Sequence, residues 1–114
     1  MFQPLTVVKV GALSQNRAGP YATYLLSLMG AEVIKIEKPG QGDWTRDLGP
    51  IQDLSARKMG LGYMTQNAGK KSVAIDLKTA EGLEIVKQII AGADVFVENF
   101  KPGVAEKLGL GYEP

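Results

Sequence analysis

The sequence predicts an α/β fold in which a Rossmann-like parallel sheet is built from βαβ units. Short runs rich in β-branched apolar residues alternate with segments of helical apolar spacing, and glycine or proline marks most of the boundaries between them. Strands that alternate with helices in this way imply parallel strands joined by right-handed crossovers. Ligands of such sheets bind outside the carboxyl ends of the strands, so functional residues are expected there.

The first βαβ unit begins with residues 5–10, a β-branched run typical of a buried parallel strand. A helix follows, with Pro20 at its first position and Gly30 as its stop. Residues 32–37, with the sequence EVIKIE, alternate and predict the second strand. The apolar residues of the helix form a stripe that we expect to pack on the sheet: Tyr21, Tyr24, Leu25, Leu28 and Met29.

The second βαβ unit follows a long connection. Residues 38–62 contain glycine, proline and charge with little periodicity, and a connection of this length is more typical of a functional excursion than of an idle loop. Residues 72–77 predict a strand, Thr79 is expected to cap the next helix, and residues 94–97 predict the strand that completes the unit. A short final helix is predicted to begin at Pro102.

Composition limits the kinds of partner. The chain has 114 residues, enough for one domain with a modest core, and its 45% hydrophobic and 22% charged content is ordinary for a globular protein. The net charge of +1 predicts no general attraction to nucleic acid or to an acidic membrane surface. No segment approaches the length of a membrane span and no secretory leader is evident, so we expect a cytoplasmic location.

The absence of cysteine and histidine excludes disulfides, thiolate metal sites, the usual zinc ligands and every Ser-His or Cys-His arrangement. We therefore predict no metal site. Catalysis would need a carboxylate or a lysine, but the aspartates show no pairing or motif that marks a nucleophile, and no residue is assigned a catalytic role. The aspartates considered are Asp43, Asp47, Asp53, Asp76 and Asp94, the last of which is expected to bound its strand.

Arg17 lies just before the first predicted helix, in the segment SQNRAGPYAT. Unpaired N–H groups and the helix dipole favour an anion at a helix amino terminus, so a phosphate or a carboxylate fits here. A capped helix with a solvated arginine fits the local pattern equally well. The segment is not a GxGxxG fingerprint, because no third glycine completes the spacing of Gly11 and Gly19.

Charged residues also mark the ends of the later strands. Nucleotide-binding sheets hold a ribose hydroxyl with an acidic residue at about the position of Glu37, and Lys38 would alternatively meet a ribose phosphate. Two exposed charges at a strand end are the competing interpretation. Lys70, Lys71 and Lys78 form a cationic patch around a strand, although such charge runs are more often solvated than functional.

The pentapeptide VENFK turns from the last predicted strand to polar and aromatic residues at the ligand edge. The amide of Asn99 can hydrogen-bond a ligand. Phe100 can stack on a ring or close the core, and we expect it to close the core.

Four blocks occur in order along the chain: RAGPYAT, MGAEVIKIEKPGQGDWTR, NAGKKSVAIDLKTAEG and ADVFVENFKPGVAEKLGLGYEP. Together they resemble the class III CoA-transferases, also called the CaiB/BaiF family, which include formyl-CoA transferase and α-methylacyl-CoA racemase. No single motif carries the resemblance, which runs through the length of the chain. It implies coenzyme A or an acyl-CoA as substrate, a carboxylic acid as acceptor, and no permanently bound cofactor.

Members of this family resemble two-domain enzymes whose larger domain is a nucleotide-binding-like α/β sheet and whose subunits interlock as homodimers. The resemblance therefore makes residues 1–114 the amino-terminal part of the large, CoA-binding domain, and the fold an incomplete part of a larger domain. In formyl-CoA transferase a glutamine replaces Arg17, and arginines replace Lys38 and Lys107. The residues that the resemblance places against CoA are Arg17, Ala18, Lys38, Ile75, Asp76, Leu77, Lys78, Asn99, Phe100, Lys101 and Lys107.

The resemblance also implies the chemistry. In the family an aspartate carboxylate attacks the acyl-CoA thioester, forms a mixed anhydride, and captures CoA as an enzyme thioester before passing it to an acceptor acid. That aspartate would lie beyond the GLGYEP block, so the chain alone is expected to be inactive. Two alternatives remain open: a piece of an acyl-CoA racemase of the same family, and a non-catalytic nucleotide-binding or assembly module.

Overall fold

A parallel four-stranded sheet is the centre of the computed structural model, which describes residues 2–112. The strands are β1 (Lys9–Leu13), β2 (Glu32–Glu37), β3 (Lys71–Ala74) and β4 (Val95–Glu98), in the order β3-β2-β1-β4. The predicted parallel α/β fold is confirmed. Because the chain crosses from β3 on one edge to β4 on the other, the direction of winding reverses between β1 and β4, where such sheets open a ligand crevice.

Helices lie on both faces of the sheet and in the long connection after β2. They are α1 (Ala18–Leu28), α2 (Gln52–Ala56), α3 (Leu61–Asn67), α4 (Ala80–Ala91) and α5 (Val104–Lys107), with a short 3₁₀ helix at Trp44–Asp47. The predicted cap of α4 is confirmed, since the Thr79 hydroxyl accepts a hydrogen bond from the N–H of Gly82 at 3.0 Å. Within residues 2–112, no helix combines the length and apolar character needed to cross a membrane.

Strand β2 matches its prediction, whereas the other strand boundaries shift. Residues 5–8 form a turn instead of strand, because the N–H of Leu5 bonds the carbonyl of Met29 at 2.9 Å and draws this segment to the end of α1. Strand β3 stops at Ala74, the partner of the last residue of β2. The carboxylate of Asp94 accepts the Lys9 N–H at 2.8 Å and bounds β4 as expected, so that strand starts one residue later than predicted.

The predicted first residues of two helices also differ from the observed ones. Helix α1 begins at Ala18, which makes Pro20 its third residue, still within the first turn where a missing N–H breaks no helical bond. Helix α5 begins at Val104 and not at Pro102, because Gly103 adopts a left-handed conformation with φ of 89°. Residue 1 and residues 113–114, the ends of the predicted 1–114 domain, lie outside the described part of the chain.

Each face of the sheet carries its own apolar cluster, because side chains alternate along a strand. Against α4, Leu13, Ile36 and Ile75 pack with Val86. Against α1, the buried residues are smaller: Val10, Ala12, Ala31 and Val33.

The prediction that an apolar stripe of α1 packs on the sheet is wrong. Tyr21, Leu25, Leu28 and Met29 are all exposed, and the face of α1 turned to the sheet instead carries Gly19, Pro20 and Thr23. Small residues are required there because α1 lies close to the end of β1. A Cβ atom added at Gly19 would lie 2.4 Å from the Cβ of Ser14, nearer than real Cβ contacts.

A fully buried ion pair fixes the start of the connection after β2. The side chains of Lys35 and Asp43 are both 0% exposed, and Lys35 Nζ lies 3.0 Å from Asp43 Oδ2. The same ammonium donates to the carbonyl of Ser14 at 2.7 Å. The other carboxylate oxygen of Asp43 accepts both the N–H and the hydroxyl of Thr45, at 2.9 and 2.7 Å. The pair therefore joins β2, the end of β1 and the connection.

A second ion pair lies beside the first. Arg46 grips Glu37 with two bonds, from Nε to Oε1 at 2.8 Å and from Nη2 to Oε2 at 2.7 Å, and its guanidinium stacks 3.8 Å from the ring centre of Tyr63. The hydroxyl of Ser72 on β3 also donates to this carboxylate. Burial raises the pKa of Glu37, but hydrogen bonds from Arg46, Ser72 and the N–H of Asp43 outweigh burial and lower it to about 2.

The connection is tied to the rest of the fold at several points. The N–H of Gly60 donates to the carbonyl of Arg46 at 2.9 Å, and a Cβ added at Gly60 would lie 2.1 Å from the carbonyl oxygen of Leu48. Glycine is therefore required where the 3₁₀ helix meets α3. At the far end of the connection, Lys70 Nζ donates to the carbonyl of Pro20 at 2.8 Å. Residues 38–70 thus form a fixed layer over α1 and the strand ends.

We expect the Lys35–Asp43 pair to contribute far more to stability than an exposed pair. Lys35→Met leaves a buried carboxylate without its cation and should lower the free energy of unfolding by about 3–5 kcal/mol. The control is Lys58→Met, which removes an ion pair with Asp47 of which both side chains are about half exposed and should cost about 1 kcal/mol or less. Urea unfolding measures both, and equal losses would contradict the structural role of the buried pair.

We expect Glu37 to make stability fall in acid. Its pKa is about 2 in the folded protein against 4.5 for an unperturbed glutamate, so its contribution is complete above pH 4.5 and is lost as the pH falls towards 2. The loss amounts to about 3 kcal/mol at most. Urea unfolding over this pH range should show a shallower pH dependence in Glu37→Gln than in the parent, whereas Glu84→Gln, an exposed change on α4, should leave the dependence unchanged. Parallel curves for Glu37→Gln and the parent would contradict the assignment.

Candidate functional site

A cavity of about 550 Å³ opens at the carboxyl ends of all the strands of the sheet. We call it the strand-end cavity. Its walls are residues 13–16 after β1, residues 36–38 at the end of β2, residues 75–78 after β3 and residues 99–101 after β4, together with Trp44 from the connection. It occupies the place where parallel α/β sheets bind ligands.

Most residues that the resemblance places against CoA line this cavity. The side chains of Lys38, Lys78 and Lys101 are exposed there, whereas Ile75 and Phe100 pack into the core cluster beneath. The expected closure of the core by Phe100 is confirmed. The predicted residues along the cavity wall are Lys38, Ile75, Asp76, Leu77, Lys78, Asn99, Phe100 and Lys101.

The remaining predicted residues lie elsewhere. Arg17 is the cap residue of α1 and lines a second, smaller cavity. Ala18 is the exposed first residue of α1, and Lys107 is the exposed last residue of α5. Neither lines the strand-end cavity or the second cavity.

The amide of Asn99 serves the fold, where the sequence had indicated a ligand contact. Its Oδ1 accepts the N–H of Gln15 at 3.1 Å, and its Nδ2 donates to the carbonyl of the same residue at 2.7 Å. This paired contact ties the end of β4 to the end of β1 across the point where the sheet order reverses. Asn99 therefore shapes the cavity by holding two of its walls together.

The carboxylate of Glu37 is likewise hydrogen-bonded within the protein. It is 6% exposed, and its carboxylate accepts bonds from Arg46, Ser72 and the N–H of Asp43. The sequence allowed Glu37 to bind a ribose hydroxyl or to be solvated, and both interpretations are wrong because the connection after β2 folds back onto this carboxylate. Lys38, the next residue, keeps an exposed side chain at the cavity.

The turn after β3 is fixed by the polar groups of Asp76. Its Oδ1 accepts the N–H of Lys78 at 2.9 Å, and its carbonyl accepts the Thr79 hydroxyl at 3.0 Å. These bonds link the end of β3 to the cap of α4. The backbone that carries Lys78 is therefore held in place while the lysine side chain itself stays exposed.

The predicted cationic patch does not exist as one surface. Lys71 forms an ion pair with Glu32 at 2.8 Å, and Lys70 turns inward to the carbonyl of Pro20. Burial and the neighbouring Lys35 lower the pKa of Lys70 to about 7. Of the three lysines, Lys78 alone lines the strand-end cavity, where it joins two cations that come from other strand ends.

The second cavity has a volume of about 360 Å³ and lies between the start of α1 and the connection. We call it the loop cavity. Asn16 and Trp44 line both cavities, so the two spaces adjoin. The cap of α1 has no side-chain hydrogen bond, which leaves the first N–H groups of the helix without a protein acceptor within residues 2–112. The predicted anion-favouring geometry beside Arg17 is therefore present.

Sequence reasoning missed the residues that build these walls from the connection. Trp44 was passed over, although it is the one tryptophan of the chain and lies between two buried polar residues, Asp43 and Thr45. Ser14 was also missed: it is 2% exposed, lines the strand-end cavity, and its hydroxyl has no partner within the described residues. Only the length and glycine content of the connection signalled that it covers a site.

Comparison with known proteins identifies the family of the chain. The sequence profile of CoA-transferase family III matches residues 5–114. The succinyl-CoA:glutarate CoA-transferase of Homo sapiens is 45% identical over 111 residues, which are 97% of this chain and 25% of that protein. The formyl-CoA:oxalate CoA-transferase of Escherichia coli is 41% identical over 114 residues, 99% of this chain and 26% of that protein. The chain thus spans about a quarter of the length of these relatives.

Solved structures give the same result. A CaiB/BaiF family protein from Brucella suis superposes with a TM-score of 0.86 at 38% identity, over 99% of this chain and 30% of the other. The Rv3272 protein of Mycobacterium tuberculosis superposes with a TM-score of 0.80 at 40% identity, over 96% of this chain and 28% of the other. With the profile match over nearly all of its residues, the chain belongs to CoA-transferase family III.

Proposed function

We propose that this chain binds coenzyme A, free or as an acyl thioester, in the strand-end cavity, as part of an acyl-CoA:carboxylate CoA-transferase. The observation that carries the proposal is the convergence of four strand ends on one cavity with exposed lysines at its wall. The relatives named above are CoA-transferases, which favours transfer over racemisation as the reaction of the whole protein.

The charges at the cavity suit a phosphorylated ligand. Lys38, Lys78 and Lys101 come from three different strand ends and all line the cavity. Each is a point charge that can pair with a phosphate or diphosphate oxygen. Of the two carboxylates at the wall, Glu37 is paired with Arg46, whereas Asp76 keeps its charge and accepts one backbone N–H of its own turn, so the three lysines outnumber the unpaired carboxylate.

The apolar part of the wall suits the uncharged arm of the ligand. Ile75 and Leu77 follow β3, and Phe100 follows β4, so that apolar side chains lie between the lysines. Ligand pockets commonly combine such apolar walls with a few polar groups, in volumes of about 300–1,000 Å³. The cavity of about 550 Å³ lies within that range.

We infer that the described residues bind the substrate and do not transfer the acyl group. The family mechanism needs an aspartate that attacks the thioester; at the cavity Glu37 is paired with an arginine, and one carboxylate oxygen of Asp76 accepts a backbone N–H of its own turn. The same proposal has three further parts. Residues 1–114 form the amino-terminal part of the large domain, the whole protein forms interlocked homodimers, and its location is cytoplasmic.

Calorimetric titration with coenzyme A tests binding, after circular dichroism has confirmed that each protein is folded. The parent should bind saturably, and Lys38→Ala and Lys78→Ala should each weaken binding about three- to tenfold, because each removes one charge-assisted contact. Lys87→Ala, an exposed change on α4 that lines neither cavity, is the matched control and should bind like the parent. A folded parent that binds no CoA, or a control that loses as much affinity, would contradict the proposal.

Mass spectrometry tests the absence of transfer. After incubation with succinyl-CoA, the intact chain should show no added mass of an acyl group or of CoA, because the proposal assigns both carboxylates at the cavity, Glu37 and Asp76, to the fold. The Glu37→Gln and Asp76→Asn variants serve as references. A covalent adduct on the parent that is missing from either variant would assign that carboxylate a catalytic role and overturn this part of the proposal.

A further inference from the structure

Helix α1 presents an uncharged, apolar face to solvent. Residues 18–31, from the first residue of α1 to the residue before β2, contain no charged side chain. Contiguous exposed apolar side chains on one helix face are typical of an interaction surface. The exposed residues of the helix, which we call the α1 seam, are Ala18, Tyr21, Ala22, Leu25 and Leu28.

Helix α4, on the opposite face of the same sheet, has the ordinary character of a solvated helix. Its exposed side chains include Glu81, Glu84 and Lys87, and Val86 is buried in the core cluster beneath it. Of its large apolar residues, Ile85 alone is exposed. The α1 seam therefore differs from the solvated helix face that the same chain builds elsewhere.

The spacing of the α1 seam suits a second helix. Ala18, Tyr21, Leu25 and Leu28 follow one another at intervals of three, four and three residues, the spacing of the apolar positions in a coiled-coil contact. In an antiparallel pair about a two-fold axis, Ala18 lies opposite Leu28 of the second copy, and Tyr21 lies opposite Leu25 of the second copy. A small residue thus meets a large one at each end, and the seam is complementary to itself.

We propose that the α1 seam is an interface between two copies of this chain, with α1 packed antiparallel on α1 of the second copy. A two-fold contact requires a surface that is complementary to itself. The seam meets this requirement in spacing and in charge, because a helix without charged residues brings no like charges together. The inference goes beyond the proposed binding of CoA and does not depend on it.

The contact is small, so the association should be weak. Helix α1 has 11 residues and is about 16 Å long, which limits the seam to less than the roughly 800 Å² per partner of a stable interface. The turn of residues 4–7 extends the surface, because the bond from the Leu5 N–H to the Met29 carbonyl holds it at the end of α1 and its Val7 is 88% exposed. We expect a dissociation constant of about 10–100 µM.

Sedimentation velocity on the full chain, over concentrations that bracket this dissociation constant, tests the interface. The parent should pass from monomer to dimer, and Leu25→Glu should weaken association about tenfold or more, because it buries a carboxylate without a partner. The matched control is Ile85→Glu, the same substitution at a similarly exposed residue of α4, which should dimerise like the parent. Circular dichroism checks that each protein is folded. A parent that stays monomeric, or equal losses in the two variants, would overturn the inference.

Disulfide cross-linking tests the antiparallel register, because the chain has no cysteine of its own. Ala22 lies at the edge of the α1 seam, beside the two-fold axis of the antiparallel pair. Under mild oxidation Ala22→Cys should therefore cross-link two copies, whereas Ala91→Cys, at an exposed position at the end of α4, should not. Equal cross-linking of the two variants, or none with Ala22→Cys, would overturn the antiparallel contact. Neither experiment involves CoA, so failure here leaves the proposed function standing, and a folded dimer that binds no CoA would contradict that function alone.

Discussion

The salt bridge between Lys35 and Asp43 is the interaction on which the rest of this structure depends. Two opposite charges without access to water are costly to bury, and the pair is tolerated because its remaining hydrogen bonds are satisfied by the carbonyl of Ser14 and by Thr45. These contacts bring together the central strand β2, the end of β1 and the first residues of the connection. A connection that would otherwise be a surface loop becomes a fixed part of the fold.

The walls of the candidate site depend on this anchoring of the connection to the sheet. Glu37, further along β2, forms the second ion pair with Arg46 of the connection. Ser72 of β3 donates a hydrogen bond to the same carboxylate and so links β3 to this pair. With both pairs in place, Trp44 stands at a fixed position between the strand-end cavity and the loop cavity. The lysines at the strand ends remain exposed, whereas the carboxylate of Glu37 is paired with Arg46 and one oxygen of Asp76 accepts a backbone N–H of its own turn. The charged residues that hold the connection are therefore different from the lysines to which the proposed function assigns ligand binding.

Much of the fold was predictable from local pattern. The alternation of EVIKIE gave β2 with correct ends, and Thr79 gave the cap of α4, because both signals act over a few residues. The boundaries of β1 and β3 were not predictable in the same way, since they are set by the pairing of neighbouring strands. The stripe predicted on α1 failed for a related reason: the close approach of α1 to Ser14 requires glycine at position 19, which pattern alone does not reveal.

The candidate site, like the fold, was predictable where it depends on local pattern and not where it depends on contacts between distant residues. Parallel strands place their carboxyl ends together, so Glu37, Lys38, Asn99 and Phe100 were expected at one edge, and they line one cavity. Residues 75–78, which were expected at the ligand from the family resemblance, line the same cavity. The partners of the polar residues were not predictable, because they are distant in the sequence. Asn99 bonds Gln15 across 84 positions, and Glu37 is bonded by Ser72 across 35. The sequence predicted Asn99 and Glu37 at the ligand edge of the sheet, and the structure shows that both are hydrogen-bonded within the protein.

Amide hydrogen exchange followed by NMR tests most directly whether the connection is a fixed part of the fold. The N–H groups of Asp43, Thr45 and Gly60 donate to Glu37, Asp43 and Arg46 at 2.8, 2.9 and 2.9 Å. We predict that these amides exchange within about tenfold of the rates of the amides in β1 and β2, because they open only when the sheet does. Exchange at the rate of an unstructured peptide, with the sheet still protected, would show a loosely held connection and would contradict the account.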